Sequence, residues 1–217
     1  MTLRGWYIAV AVAIAITIGW WFSPVSPRVP APPTHALAGN PAPCPMPPRV
    51  ASGTGPLQSD VPASLRPFRL SAAQLQPLAG FSLSARVLSR EDYGFGREAQ
   101  LSPTDLALGW QRMADEAVLS RLEVSQSARW YHYRWQGDPP LPPDEMMASS
   151  ANMHMIPSNA ATAAALARLG RGDRVRIDGW LVEAQAADGW HWRSSLRRDD
   201  TGQGACELVY VCAITRE

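Results

Sequence analysis

The stretch GRGDRVRIDGWLVEAQAADGWHWRSSLRRDDTGQGACELVYVCAI, residues 170–214, decides the fold class. It holds three apolar runs, Asp173–Ala184, Trp190–Leu196 and Ala205–Thr215, separated by polar segments that contain glycine. The first two runs alternate apolar and polar residues, which is the period of a half-buried strand, and the third is apolar on both faces. The three runs therefore predict a β-meander.

Gly179 lies inside the first run, where a glycine often marks a bulge or a bend at the corner of a barrel. Short strands with a bent first strand are typical of small barrels. We therefore predict a mainly β, α+β domain with short helices, built as a small OB-like or SH3-like β-barrel or as a meander. A β-sandwich is the alternative.

The N-terminus carries an apolar segment, residues 5–22, which has eighteen residues without a charge. As a helix it would span about 27 Å, close to the hydrocarbon core of a bilayer at about 30 Å. Tryptophan and tyrosine at its two ends resemble interfacial belts. Residues 1–23 are therefore predicted to be an uncleaved transmembrane anchor, with a cleaved signal peptide as the alternative. Arg4 before the segment favours an N-terminus inside the cell and a C-terminal domain in the bacterial periplasm.

A proline-rich segment follows the anchor. Twelve of the twenty prolines of the chain lie between residues 23 and 64. A segment with so few large apolar residues does not offset its ordering entropy. The sequence predicts a disordered linker over 24–64 and a soluble β-rich domain over 65–217.

Several local signals predict elements of that domain. Ser102-Pro103-Thr104-Asp105 is typical of a helix start and predicts a short helix that ends near Gly109. Arg129–Trp135 alternates like a strand. Pro157 disfavours helix before it, so 152–156 is predicted to be extended until Ser158 caps an alanine-rich helix over 160–169. In that extended run His154 faces away from its two methionine neighbours.

Six sequence blocks recur together in one bacterial family. They are ALGW (107–110), SQSARWYHYRW (125–135), SANMHMIPSN (150–159), GDRVRIDGWLVEA (172–184), DGWHWRSSL (188–196) and DTGQGACELVYV (200–211). The chain resembles, over about residues 81–214, an uncharacterised family whose members join an N-terminal membrane segment to a domain with these blocks. The resemblance implies a membrane-anchored protein, and it transfers no activity and no catalytic residue.

Charge and cysteine spacing limit the function classes. The net charge of +1 argues against a nucleic-acid partner, which normally requires a basic excess. Cys206 and Cys212 would lie about 20 Å apart in one strand, whereas a disulfide needs Cα atoms within about 4.4–6.8 Å. Cys44 lies in the flexible linker and could form a disulfide with either of them. The default expectation is that Cys206 and Cys212 are two buried, reduced thiols.

The leading functional prediction is a binding or interaction module outside the cytoplasmic membrane, because the chain combines an anchor, a long spacer and a compact β-rich domain without a recognisable catalytic signature. Aromatic faces stack on ligands and also fill small cores. Besides the membrane, the expected partner is another envelope protein or a glycan, and no cofactor, metal or catalytic residue is expected. The candidate ligand-binding residues are His154, Tyr131, Tyr133, Arg193, Ser195 and Trp190.

Two other functions stay open at the level of sequence. The first is an envelope hydrolase that uses His154, since serine, histidine and acid side chains are the parts of an acyl-transfer site. Its candidate residues are Asp105, Ser149, Ser150, Asn152, His154, Ser194, Ser195 and Asp200. The second is a copper protein, because Met146, Met147, Met153 and Met155 surround His154 in sequence and thioethers suit Cu(I).

Overall fold

The protein is a mixed α+β molecule, mostly sheet with a few short helices, as predicted. The computed structural model describes residues 3–21, 23, 26, 29–39, 42, 44–197 and 205–217. The helices are α1 (Leu3–Trp21), α2 (Arg97–Leu101), α3 (Glu116–Leu119), α4 (Pro143–Ala148) and α5 (Ala160–Ala167). The strands are β1 (Leu57–Ser59), β2 (Phe68–Arg69), β3 (Gln74–Asp92), β4 (Thr104–Gly109), β5 (Glu123–Ser127), β6 (Trp130–Arg134), β7 (Ser150–Pro157), β8 (Arg174–Gln185), β9 (His191–Arg193) and β10 (Glu207–Arg216).

Five strands pair in a cycle. β3 pairs with β4, β4 with β7, β7 with β10, β10 with β8, and β8 pairs again with β3. Each pairing is antiparallel except that of β7 with β10, which is parallel. The short strands β1, β2 and β9 extend this sheet, and β5 and β6 form a separate hairpin.

The long strand β3 pairs with both β8 and β4 within the cycle, and it is irregular. Its first part pairs with β8 and its last part with β4, and the register shifts between Pro77 and Ala79 and again between Val87 and Ser89. Such irregularities bend a strand and increase its twist. The bent strand can therefore contribute to both sides of the main core. That core is built from alternate residues of the five cyclic strands, among them Phe81, Leu83, Val87, Leu106, Leu108, Met153, Met155, Ile177, Leu181, Val209 and Val211.

At Gly179 the backbones of β8 and β10 lie too close together to leave room for a side chain. A Cβ atom there would lie 2.2 Å from the carbonyl oxygen of Tyr210, on the paired strand β10. The position therefore excludes any side chain, which gives the physical reason for a glycine inside an otherwise well-packed strand.

The order of the three C-terminal strands differs from the predicted meander. β8 lies between β9 and β10 in the sheet, and it pairs with β9 through Glu183–Gln185 and with β10 through Val175–Leu181. The apolar runs were predicted correctly as strands. The pairing partners of these strands could not be predicted, because β10 also pairs with β7, which lies far away in sequence.

The segment predicted as a helix after Ser102 is the strand β4 instead. Leu106 and Leu108 enter the main core, while Asp105 and Ala107 face the opposite side. Pairing on both edges, with β3 and β7, overrides the local capping signal. The next helix also differs in detail, since Asn159 and not Ser158 caps α5, through a reciprocal pair of bonds with Thr162.

The predicted disordered linker differs from the structure over residues 44–59, which we call the N-terminal strap. Its β1 pairs with β3, and Cys44 forms a disulfide with Cys212. The indole N–H of Trp180 donates to the carbonyl of Pro45 at 2.8 Å. Prolines lack backbone donors but keep their carbonyls as acceptors, so a proline-rich segment can dock through side-chain donors of the sheet.

The N-terminal helix α1 exposes most of its large apolar side chains, including Trp6, Tyr7, Ile8, Ile14, Ile16, Ile18, Trp20 and Trp21. Within the described part of the chain, no helix combines the length and the apolar character needed to cross a membrane.

Candidate functional site

A buried acid and a buried histidine face each other across two strands. Asp105 on β4 lies directly opposite His154 on β7 in the antiparallel register. Both side chains point away from the main core, whereas Met153 and Met155 point into it. The prediction that His154 faces away from the two methionines is therefore confirmed. The alternation of a strand sets this division, and it collects the polar residues of β4 and β7 on one face.

Asp105 is the centre of this polar cluster and is fully buried. Its Oδ1 lies 2.7 Å from Nη1 of Arg129, and its Oδ2 accepts a hydrogen bond from Nδ2 of Asn152 at 3.3 Å. Oδ2 is also 2.9 Å from Nδ1 of His154, close enough for an ion pair, although the two atoms lack hydrogen-bond geometry. A carboxylate can be buried at a tolerable cost when it is paired and hydrogen-bonded in this way.

Arg129 reaches Asp105 from a strained hairpin turn. The turn between β5 and β6 places both Ala128 and Arg129 at positive φ, +50° and +69°, a combination that hairpins normally fill with asparagine or glycine. The carbonyl of Arg129 accepts a bond from Nδ2 of Asn152 at 2.8 Å, and its N–H donates to the hydroxyl of Tyr93 at 2.9 Å. Non-glycine residues in this conformation cost about 1–3 kcal/mol each and concentrate at functional sites.

Aromatic rings enclose the guanidinium and the imidazole. The Arg129 guanidinium carbon lies 3.9 Å from the ring centre of Tyr93 and 5.3 Å from that of Trp192. The ring of Trp192 in turn lies 4.7 Å from that of His154. Burial, followed by the charge of Asp105, raises the pKa of Tyr93 to about 12, so this phenol is neutral at physiological pH.

A cleft opens beside this cluster. The His154 cleft has a volume of about 460 Å³, within the usual range for small-molecule sites of about 300–1,000 Å³. It is lined by Glu98, Arg129, Trp130, His154, His191, Trp192, Arg193 and Cys206. The helix α2 contributes Glu98, and the β8–β10 connection contributes His191, Trp192, Arg193 and Cys206.

A second cleft, the Tyr131 cleft, adjoins the first. It has a volume of about 340 Å³, and its lining includes Tyr131, Tyr133 and Glu207. Trp130 and Cys206 line both clefts and therefore mark their boundary. The Tyr131 hydroxyl lies 3.0 Å from that of Ser150, and burial raises the pKa of this phenol.

Of the six residues predicted for ligand binding, four line these two clefts, and Trp190 and Ser195 line neither. His154 and Arg193 line the first, where Arg193 is also paired with Glu183 at 2.5 Å, and Tyr131 and Tyr133 line the second. Trp190 lies 6.3 Å from Trp192, ring to ring. Ser195 is buried, and its N–H bonds to the carbonyl of Cys206.

Sequence reasoning missed several members of the site, among them Arg129 and Cys206. Arg129 was assigned to a strand, and nothing in Ala128-Arg129 signals a turn, because neither residue favours positive φ. Cys206 was treated as a buried thiol, although it is half-buried at a cleft boundary. The polar candidate Asp200 lies outside the described residues.

The environment of the methionines and histidines bears on metal binding. Met153 and Met155 are buried in the core on the side opposite to His154, and Met146 is buried beneath the β5–β6 hairpin. Among the residues that the structure describes, no group of three or more histidine, cysteine, aspartate or glutamate side chains could hold a metal ion.

Comparison with protein-family models, with curated proteins and with solved structures finds no match to this chain.

Proposed function

We propose that this chain is a membrane-anchored binding module of the bacterial periplasm whose ligand is an envelope glycan. The observation that carries the proposal is the open His154 cleft, where Trp130 and Trp192 stand beside buried charged groups. Apolar rings next to a few fixed polar groups are the usual make-up of a small-molecule or sugar site. A nucleic-acid ligand is not part of the proposal, because the net charge is only +1.

The cycle of strand pairings supports an OB-type barrel. Taken in chain order, β3, β4, β7, β8 and β10 would be its five strands. Barrels of this type bind oligosaccharides or oligonucleotides on the face of their second and third strands and on the loops after the first and fourth. Here Asp105 and His154 lie on the second and third strands, and Trp192 lies on the connection after the fourth. If the five strands form such a barrel, the cleft would lie where these barrels bind their ligands, which supports the proposal by architectural analogy.

The disulfide supports a location outside the cytoplasm. Cys44 and Cys212 are bonded, and such bonds persist in oxidising compartments such as the periplasm. The exposed apolar surface of α1 supports a membrane anchor, since a helix that is apolar all round needs an apolar environment. A reporter fused after Glu217 should be active only on the periplasmic side, and cytoplasmic activity would contradict this location.

Glycan binding can be tested with the full chain in mild detergent. Titration with chitotetraose, read by tryptophan fluorescence, should show saturable binding with a Kd tighter than about 1 mM. Maltotetraose, which lacks the acetamido groups of envelope glycans, should bind at least about tenfold more weakly.

Two tryptophans provide a matched pair of variants. Trp130→Ala should weaken chitotetraose binding about tenfold, as expected for the loss of one aromatic stacking contact. Trp135→Ala should leave it unchanged, because Trp135 is equally exposed, at 36% against 37%, yet lines neither cleft. Equal effects of the two variants, or the absence of saturable binding, would refute the proposed ligand.

A further inference from the structure

Cys206 is the one thiol left in the chain once the disulfide has formed. The chain has three cysteines, Cys44 and Cys212 are bonded to each other, and Cys206 is not disulfide-bonded. Its side chain is half-buried at the boundary of the two clefts, and its Sγ lies 3.9 Å from the carbonyl of Arg129. A thiol that lines a cleft together with a histidine differs from the inert thiol of a core.

An acid and a histidine lie on two neighbouring strands, and this thiol directly precedes the next strand, β10. β7 lies between β4 and β10, and on β7 His154 has Asp105 opposite it on one side and Leu208 on the other. Cys206 lies just outside β10, two residues before Leu208, and the alternation of the strand, if continued by one residue, would put it on the face of Leu208. His154 and Cys206 accordingly line the same cleft. Nδ1 of His154 lies 2.9 Å from Oδ2 of Asp105, so Nε2 is the imidazole nitrogen that remains for a reaction in the cleft.

We propose that Cys206 is a nucleophile for acyl transfer, with His154 as its general base and Asp105 as the residue that positions His154. The substrate class is an acyl donor, an ester, thioester or amide, whose carbonyl would sit at the boundary of the two clefts. This inference goes beyond binding, and it does not depend on the ligand being a glycan.

The reaction balances with the groups present and water. His154 takes the thiol proton while the sulfur attacks the carbonyl carbon, so that an S–C bond forms. The bond from that carbon to the leaving group then breaks, and the imidazolium returns the proton to the leaving group. Water, activated by His154, hydrolyses the resulting thioester and restores the thiol. The buried carboxylate of Asp105 stabilises the imidazolium that forms in each step.

The surroundings keep the imidazole in place. Trp192 packs against it, and Asp105 is itself fixed by Arg129 and Asn152. The strained turn at Ala128 and Arg129 presents the carbonyl that contacts Sγ. Strain held by surrounding structure is a common feature of preorganised sites.

The first test measures the reactivity of the thiol. Iodoacetamide is added at neutral pH to the full chain in detergent with its disulfide intact, and the peptide containing Cys206 is quantified by mass spectrometry. An assisted thiol should be alkylated about tenfold faster in the folded chain than in the same chain unfolded by guanidinium, where the thiol has an ordinary thiolate fraction. Slower alkylation in the folded chain would overturn the proposal, and this comparison needs no variant.

Histidine variants identify the base. His154→Asn should remove the excess reactivity, whereas His132→Asn, an exposed histidine on β6, should leave it unchanged. The melting temperature of each variant reports whether it is folded. A folded His154→Asn protein that reacts as fast as the unaltered chain would rule out the assigned base.

The second test detects acyl transfer itself. p-Nitrophenyl acetate should give a stoichiometric burst of p-nitrophenolate and an acetyl group on Cys206, and Cys206→Ser should abolish both. A chain with a reactive thiol but no burst and no acetyl adduct would overturn acyl transfer. Chitotetraose binding is measured separately, so either proposal can fail while the other stands.

Discussion

Cys44 and Cys212 are joined by a disulfide across 168 residues, with their Cα atoms 5.3 Å apart. The bond ties the N-terminal strap to β10, next to the apolar cluster that contains Trp180 and Tyr210. The strap thereby becomes part of the sheet domain, because almost the whole domain lies within the closed loop.

The first prediction concerns this bond. A cross-link that closes a loop of this length restricts the unfolded chain, and its removal should lower the free energy of unfolding by about 3–5 kcal/mol. The measurement is guanidinium denaturation of the Cys44→Ala, Cys212→Ala double variant in detergent. Cys206→Ala, which breaks no disulfide, is the control and should change stability far less. Equal stability of the double variant and the unaltered chain would contradict the prediction.

The second prediction concerns the buried charge pair of Asp105 and Arg129. Asp105→Ala leaves the Arg129 guanidinium, only 18% exposed, without its counter-charge, and should cost about 3–5 kcal/mol. The matched control is Arg112→Ala, which breaks the more exposed ion pair with Glu145 and should cost less than about 1 kcal/mol. Similar losses in the two variants would argue against Asp105 as the centre of the cluster.

The third prediction concerns Gly179. Its Cβ in Gly179→Ala would collide with the main chain at Tyr210, which cannot move without breaking the β8–β10 pairing. Overpacking usually costs about 1–3 kcal/mol, and we expect at least the upper end here. Gly170→Ala is the control, since nothing lies within 4 Å of a Cβ at that position. A Gly179→Ala protein as stable as the control would show that the two backbones can separate cheaply.

The fourth prediction is a pH dependence that arises from His35. Desolvation by burial lowers the pKa of this histidine, although its bond to the carbonyl of Pro157 opposes the shift. The unfolded chain therefore binds the proton more readily than the folded chain. The contribution of His35 to stability should be complete above pH 6.5, the ordinary value, and should be lost progressively as the pH falls from there towards the lowered folded value.

Melting temperatures between pH 8 and pH 5 would measure this loss. His35→Gln, whose side-chain amide can also donate to Pro157, should flatten the dependence, whereas His191→Gln, which alters an exposed histidine, should not. An unchanged slope in His35→Gln would assign the effect to another group.

Periodicity was sufficient to predict several strands of the domain. β6, β8, β9 and β10 lie in runs that alternate or are continuously apolar, and the structure confirms them as strands. The face of His154 followed from the same two-residue period, because a strand fixes the direction of each side chain locally. The mixed, β-rich architecture could therefore be predicted from the sequence without any knowledge of tertiary contacts.

Local signals failed where distant partners decide the conformation. The sequence at the start of Thr104–Gly109 is typical of a helix N-terminus, yet the segment forms β4. It does so because β3 and β7 form backbone hydrogen bonds with its two edges. The composition of the strap predicts disorder. The disulfide and the hydrogen-bond donors of Arg176 and Trp180 on β8 nevertheless hold it against the sheet. Neither effect is present in the residues of the segment itself.

The sequence by itself determined which residues are apolar, which alternate and which carry charge, since these properties belong to each residue and its near neighbours. Only the tertiary structure decided that Asp105, Arg129, His154 and Cys206 meet. They come from β4, a hairpin turn, β7 and the residue just before β10, and the registers of β4–β7 and β7–β10 bring them together. Register depends on the packing of the whole core, which is a property of the folded chain and not of any one segment.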